Sequence, residues 1–352
     1  MIITRRKLII CLVLFILALG LIFVWQKSGR IIEIGSQLAG QAGYVSDIEI
    51  SGAGISPLSG LACQNYQRRP LAVVLAEDPV ARPLSGISEA DLVFEMPVIT
   101  GSITRLIAFY VCDSSKEIGS LRSARHDFIP LAMGLDAILA HWGGSHFALD
   151  ELNAGVMDNI DALKNPYNAF YQKRGIPQPH NGFTSMERLL NSANKLGYRL
   201  ENNFEGYPFQ KITNPKSQIT NYKQILKIEY SWPYNVEYQY NPDTNSYLRW
   251  RAGKPEIDKS NSKQIEAKNI VVMRAFSRQI EGPDYNDLDI EGTGKCQVYQ
   301  NGTVIPCVWQ KDASNPASKL YFLDKASDKE IPFVPGQTWI QIVEPGQEVS
   351  WE

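Results

Sequence analysis

The side chains best suited to chemistry crowd into the stretch between Glu95 and Ser185. It holds Arg105, Arg122, Ser123 and Arg125, the run from His141 through Gly143, Gly144 and Ser145 to His146, and the pair His180-Asn181 in a loop stiffened by prolines. All four histidines of the chain fall here. Guanidinium groups match carboxylates and phosphates with two parallel hydrogen bonds. Two glycines and a serine between a strand and an apolar helical run expose N–H groups at a helix start, which favours an anion. Glycine also lets a ligand approach the backbone closely. Arg105, Arg122, Ser123, Arg125, Gly143, Gly144, Ser145 and Asn181 are therefore the expected ligand-binding set. His141 and His180 are the expected acid/base pair if the site catalyses, because imidazole titrates near neutral pH. Asp91, Glu95, Asp136, Asp150 and Glu151 are the carboxylates available to orient them. The plainer reading of the turn is a tight strand-to-helix connection in which Ser145 only caps.

Other chemistries find little support. The serine lacks the full Gly-x-Ser-x-Gly elbow, and no phosphate-binding loop, His-Glu-x-x-His run or dinucleotide fingerprint is present. No Cys/His spacing resembles a structural zinc site, so neither a metal nor a cofactor is expected. A net charge of -2 gives no bulk attraction to nucleic acid.

The elements that must position these residues follow from periodicity. "PLAVVLA", "DLVFEMPV", "ITRLIAFYVC" and "DAILAHW" read as strands, rich in β-branched and aromatic residues. "RHDFIPLAMGL" has helical spacing, with Pro130 delaying or kinking its start. Ser145 caps "HFALDELNA", which stops at Gly155. "TSMERLLNSANKLGY" carries Thr184 and Glu187 at capping-box spacing and Gly197 as its stop. Strands alternating with helices predict an α/β or α+β domain over 66–205. A polar connection, 206–228, leads to a β-rich domain over 229–352, with "NVEYQY-NPDTN-SYLRWR" as a hairpin followed by "NIVVMRAF", "KLYFL" and "PFVPGQTWIQIV". Its dense tyrosines and tryptophans suit a core; a sugar-binding face is the alternative.

The N-terminus differs in kind. "TRRK" precedes eighteen uncharged residues, Leu8 to Trp25, long enough for one bilayer crossing. Basic residues on the near side place the body outside the cytoplasm. Residues 1–26 read as stub and uncleaved anchor, with a cleaved signal peptide as the rival reading, and 27–65 as a Gly/Ser-rich linker. Export makes disulfides available. Folding "KCQVYQNGTVIPCVW" about Asn301-Gly302 puts Gln300 opposite Thr303, Tyr299 opposite Val304 and Cys296 opposite Cys307. Cα atoms at that separation are within disulfide range. Nothing local fixes whether Cys63 and Cys112 pair.

In order along the chain, "RPLAVVLAEDPVARPLSGISEADLVFEMPV", "GSITRLIAFY", "IGSLRSARHDFIPLA", "DAILAHWGGS" and "PHNGFTS" resemble the N-terminal domain of the YerB-like bacterial envelope lipoproteins. "NIVVMRAF", "GTGKCQVYQNGTVIPCVWQK" and "GQTWIQIV" resemble that family's C-terminal domain. The resemblance covers most of the chain beyond the anchor and linker. It implies an extracytoplasmic, membrane-attached, two-domain protein and supplies no activity. The positions carried over are Arg105, Arg122, Ser123, Arg125, His141, Gly143, Gly144, Ser145, His180 and Asn181. Two departures stand out. Family members commonly use a lipidated cysteine where this chain has an apolar span, and an acidic residue common before "PHN" is absent from "AFYQKRGIPQPHN". The arginine among small residues, the following helical run and the strand ending in Gly-Gly-Ser together also resemble phosphodiester glycosidases, which cleave sugar–phosphate linkages, over about 25 residues.

The leading expectation is a single-pass membrane protein of the cell envelope that binds an anionic small molecule or wall fragment through the arginines and the Gly-Gly-Ser turn. A hydrolase of sugar-phosphodiester or glycan bonds, and a structural partner in a membrane complex, are the alternatives.

Overall fold

The computed structural model describes residues 53–211 and 224–352. The expected anchor, 8–25, and most of the linker lie outside them. Among the described residues no helix is long and apolar enough to cross a membrane.

The first half builds β1 (Leu71–Ala76), β2 (Leu92–Pro97), β3 (Thr104–Tyr110), α1 (Phe128–Met133), β4 (Ile138–His141), α2 (His146–Asn153), β5 (Asn159–Asp161), β6 (Gly182–Thr184) and α3 (Met186–Lys195). The second half is strands, apart from connections: β7 (Ile225–Ile228), β8 (Val236–Asn241), β9 (Ser246–Arg251), β10 (Asn269–Arg274), β11 (Ser277–Glu281), β12 (Tyr285–Leu288), β13 (Gly292–Gln300), β14 (Thr303–Lys311), β15 (Tyr321–Asp324), β16 (Thr338–Val343) and β17 (Val349–Trp351). The described residues are thus β-rich with few helices, and among them the helices are confined to the first half.

Both halves share one ten-stranded sheet, in the order β15-β14-β13-β10-β16-β2-β3-β1-β4-β5. The seam is the parallel pairing of β16 with β2, where Trp339 lies beside Val93 and Gln341 beside Glu95. Strands β1, β2, β3 and β16 are buried along their whole length, because both faces of the sheet are covered. Val73, Val93 and Leu106 point to one face, where they meet Leu189 of α3 and Tyr238 and Tyr247 of a second sheet containing β7, β8, β9 and β17. Val74, Phe94 and Ile107 point to the other, against Phe128 of α1 and Leu152 of α2. Alternation along each strand therefore sorts the apolar residues into two cores. The dense tyrosines of the second half are mostly interior, as Tyr238, Tyr247 and Tyr299 show.

Several local expectations hold. The Ser145 hydroxyl accepts the Ala148 N–H, and α2 stops before Gly155, which has φ +80°. Asn301 and Gly302 both take positive φ, and Gln300–Thr303, Tyr299–Val304 and Cys296–Cys307 face each other. Cys296 and Cys307 are disulfide-bonded, with Cα atoms 4.8 Å apart. Cys63 and Cys112 form a second bridge.

Two expectations change. The cap of α3 is Ser185, which accepts the Arg188 N–H; Thr184 instead donates to the Ala169 carbonyl at 2.7 Å. Thr184 ends β6, so its extended backbone directs the hydroxyl across the loop. The linker does not continue to residue 65 as a free tether. Gly54–Ile55 and Ala62–Cys63 pair as short strands. Leu58 is fully buried, and Ser56 and Ser59 donate to the Asp91 carboxylate. Small residues bring this segment close enough for that buried carboxylate to find its donors.

Candidate functional site

Arg105 is the second residue of β3, and its Nη1 donates to the Ser123 carbonyl at 3.0 Å. Ser123 belongs to an extended segment held on two sides. Arg122 N–H donates to Val74 of β1, and Ala124 exchanges hydrogen bonds with Gly143 and Ser145. This places Arg122 and Arg125 near Arg105, close enough that both lower its affinity for a proton. Burial is the larger cause, and together they bring the Arg105 guanidinium down to about 9. A buried, unanswered positive charge is costly in low dielectric.

One carboxylate answers this group directly. Asp78, in the turn after β1, accepts from Arg122 Nη2 at 3.0 Å and Nε at 3.3 Å. Burial alone would raise its pKa; the hydrogen bond and charge of Arg122, then His180 and Arg105, carry it below the usual range. His180 Nε2 lies 3.2 Å from Arg122 Nη2. Arginine only donates, so Nε2 accepts and the ring proton sits on Nδ1, which faces Asp78 at 3.9 Å. Burial and the Arg122 charge depress the His180 pKa, which keeps that neutral tautomer at pH 7.

Arg125 is the least answered member. Its Nη1 donates to its neighbour Ala124, its Nε is buried without a partner among the described residues, and its guanidinium lies 5.9 Å from the Tyr285 ring. Tyr234 faces the cluster from the second half; burial, then Asp78, pushes its phenol up. Beside Asp78 runs a groove of about 630 Å³, lined by Pro79, Arg82, Pro83, Trp232 and Pro233. Trp232 is 78% exposed there. The arrangement is a cationic patch from the first half, flanked by aromatics of the second.

The other expected residues form the layer beneath. His141 is fully buried; Nδ1 contacts the Gly143 carbonyl at 2.7 Å and Nε2 contacts Asn159 Oδ1 at 3.2 Å. Gly143 has φ +63°, and its N–H donates to Asp161 at 2.9 Å. Ser145 N–H is taken by Ala124. The protein's own Asp161 thus fills the anion position of the turn. Gly144 lies beside Ala124, and Asn181 is half-buried with its carbonyl accepting from Lys173. The fold therefore joins Arg105, Arg122, Arg125 and His180, while His141, Gly143, Gly144 and Ser145 support the segment that carries them.

Among the available carboxylates, Asp91 is engaged by Ser56, Ser59 and the N–H groups of Val111 and Cys112. Asp136 pairs with Arg199. Glu95 sits in an ion network between the two sheets. It accepts from Arg249 at 2.5 Å, from Arg251 at 2.9 Å and from Thr104 at 2.8 Å. Glu256 binds the same two arginines, which override its burial and hold it at about 2. Glu77 lies 2.8 Å from Arg251 Nε, but that N–H points to Glu256. Burial pushes Glu77 up to about 8.

Asp78, Tyr234 and Tyr285 were not anticipated. Asp78 lies in "AEDPVARP", where Asp-Pro reads as a turn; the tyrosines have no local signal.

Comparison with known proteins agrees with this architecture. Residues 58–199 match the family model described as "Protein of unknown function (DUF3048) N-terminal domain", and residues 226–340 match the corresponding C-terminal domain. The chain is 31% identical over 293 residues to YerB of Bacillus subtilis (strain 168), whose name marks it as a candidate lipoprotein; the match covers 82% of this chain and 86% of that one. The crystal structure of YerB from Bacillus subtilis superposes with a TM-score of 0.75 at 31% identity, over 84% of this chain and 99% of that one.

Proposed function

The chain belongs to the YerB-like family of DUF3048 proteins, and from that premise we propose that it is a membrane-attached envelope protein whose arginine cluster binds an anionic, wall-related ligand. The carrying observation is the charge imbalance at Arg105, Arg122 and Arg125. Three guanidinium groups lie near one another, and among the described residues only Asp78 of the carboxylates accepts a hydrogen bond from any of them and the Arg125 Nε is buried without a partner. An anion entering here gains charge-assisted hydrogen bonds that the free protein lacks. Attachment is supported by the apolar run from Leu8 to Trp25 and by the name of the relative. Two disulfides suit a compartment outside the cytoplasm.

The test is calorimetric titration of the full chain in detergent with a muramyl peptide and, separately, with inorganic phosphate. Saturable binding of either probe is expected, weakened at least tenfold in the R122A/R125A double variant. Equal affinity of wild type and double variant, or no binding of either probe, overturns the reading.

A further inference from the structure

A second cluster lies on the far side of Arg125 in sequence and shares no side chain with the arginine site. His126 and Asp127 precede α1, and Asp287 is on β12, brought across by the β11–β12 hairpin. His126 Nε2 is 3.3 Å from Asp287 Oδ1 and 3.5 Å from Asp127 Oδ1. One ligand atom from each residue falls within 4.8 Å of the others. The cluster opens on a cavity of about 310 Å³ that Glu151 and Glu291 also line.

An internal ion pair does not satisfy these groups. A single proton on Nε2 serves one carboxylate at a time, and two approach it. Asp127 is only 4% exposed, yet its sole hydrogen bond among the described residues is to the Leu288 N–H, at 3.1 Å. It stands at the helix start without capping it. Glu291 Oε1 is buried and has no partner among the described residues. Arg278 binds Asp287 through Oδ2, which leaves Oδ1 turned to the histidine. Among the described residues no lysine or arginine lines the cavity. A cation bound at about 2.0–2.2 Å by nitrogen and carboxylate oxygen in tetrahedral geometry keeps its ligands roughly 3.3–3.6 Å apart; both distances from His126 Nε2 are of that size, and the two carboxylates lie within 4.8 Å of each other.

We propose that His126, Asp127 and Asp287 form a binding site for a divalent transition-metal ion, with the carboxylates of Glu151 and Glu291 within the same cavity. The nitrogen-and-oxygen donor set, without sulfur, suits zinc or manganese rather than a thiophilic ion.

The experiment uses the full chain in detergent, purified through a histidine-free tag, stripped with chelator and titrated with zinc ion. One saturable equivalent is expected. His126→Gln and Asp127→Asn each lower the affinity at least tenfold, while His146→Ala, which removes an exposed histidine paired with Glu281, leaves it unchanged. No saturable binding, or equal binding by wild type and His126→Gln, overturns the proposal. If Asp127→Asn does not fold, His126→Gln alone decides, since glutamine keeps most of the volume of a ring that is 18% exposed.

Discussion

Replacing Glu95 by glutamine tests what holds the two halves together. Glu95 is fully buried at the seam, opposite Gln341, and accepts from Arg249, Arg251 and Thr104. Glutamine keeps the volume and one acceptor oxygen. Its amide nitrogen must then face a guanidinium, donor against donor. Removing one partner of a buried ion pair costs about 3–5 kcal/mol. Two arginines lose a partner here, which argues for the upper end. Glu77 works the other way. Its proton is held partly by the charge of Glu95, so it ionises more readily in the variant and replaces some of the lost charge. The net expectation is about 3 kcal/mol. At about 2 °C per kcal/mol for a chain of this size, the melting temperature falls by roughly 6 °C at pH 7, read by differential scanning calorimetry. Thr104→Val removes one hydrogen bond to the same carboxylate, and its cost of about 1 kcal/mol shifts melting by roughly 2 °C. A Glu95→Gln protein that melts no lower than Thr104→Val refutes the claim that this network joins the sheets.

Glu77 itself predicts a pH dependence. Its pKa is raised from 4.5 to about 8 in the fold, so the native state holds a proton that the unfolded state releases, and its contribution is full below pH 4.5 and is lost as pH rises towards 8. Glu77→Gln keeps a neutral group at every pH; its melting temperature relative to wild type should rise between pH 5.5 and pH 8, and a difference that stays constant across that range sinks the assignment. The two disulfides should differ in worth, because they close loops of unlike length. The Cys63–Cys112 bridge spans 49 residues and the Cys296–Cys307 bridge 11, so loop-closure entropy gives roughly 4 and roughly 3 kcal/mol. Urea midpoints of the paired Cys→Ala variants check the order, and a larger loss at the hairpin would contradict it.

What the residue order settled by itself was local. Strand-forming runs, the Ser145 cap, the stop at Gly155 and the register about Asn301-Gly302 depend on a few adjacent residues, and each appears as read. The Cys296–Cys307 bridge was legible because the turn between the cysteines fixes their separation. The arginines of the candidate site were legible as types, since Arg105, Arg122 and Arg125 crowd one segment. Their partners were not. Asp78 follows a different strand, and Tyr234 and Tyr285 come from the other half of the chain. Glu95 looked like a site carboxylate because its sequence does not reveal that Arg249 and Arg251 will cover it. His126 and Asp127 gave no metal spacing because Asp287 arrives from 160 residues further on. His141 looked like an acid/base group and the Gly-Gly-Ser turn like an anion site for the converse reason: only the packing of β4 against β5 brings Asp161 into the position an outside anion would have taken. Local hydrogen bonds and periodicity are written in neighbouring residues. The charge balance of a buried group depends on what the sheet places across from it, and that is decided only when the chain closes.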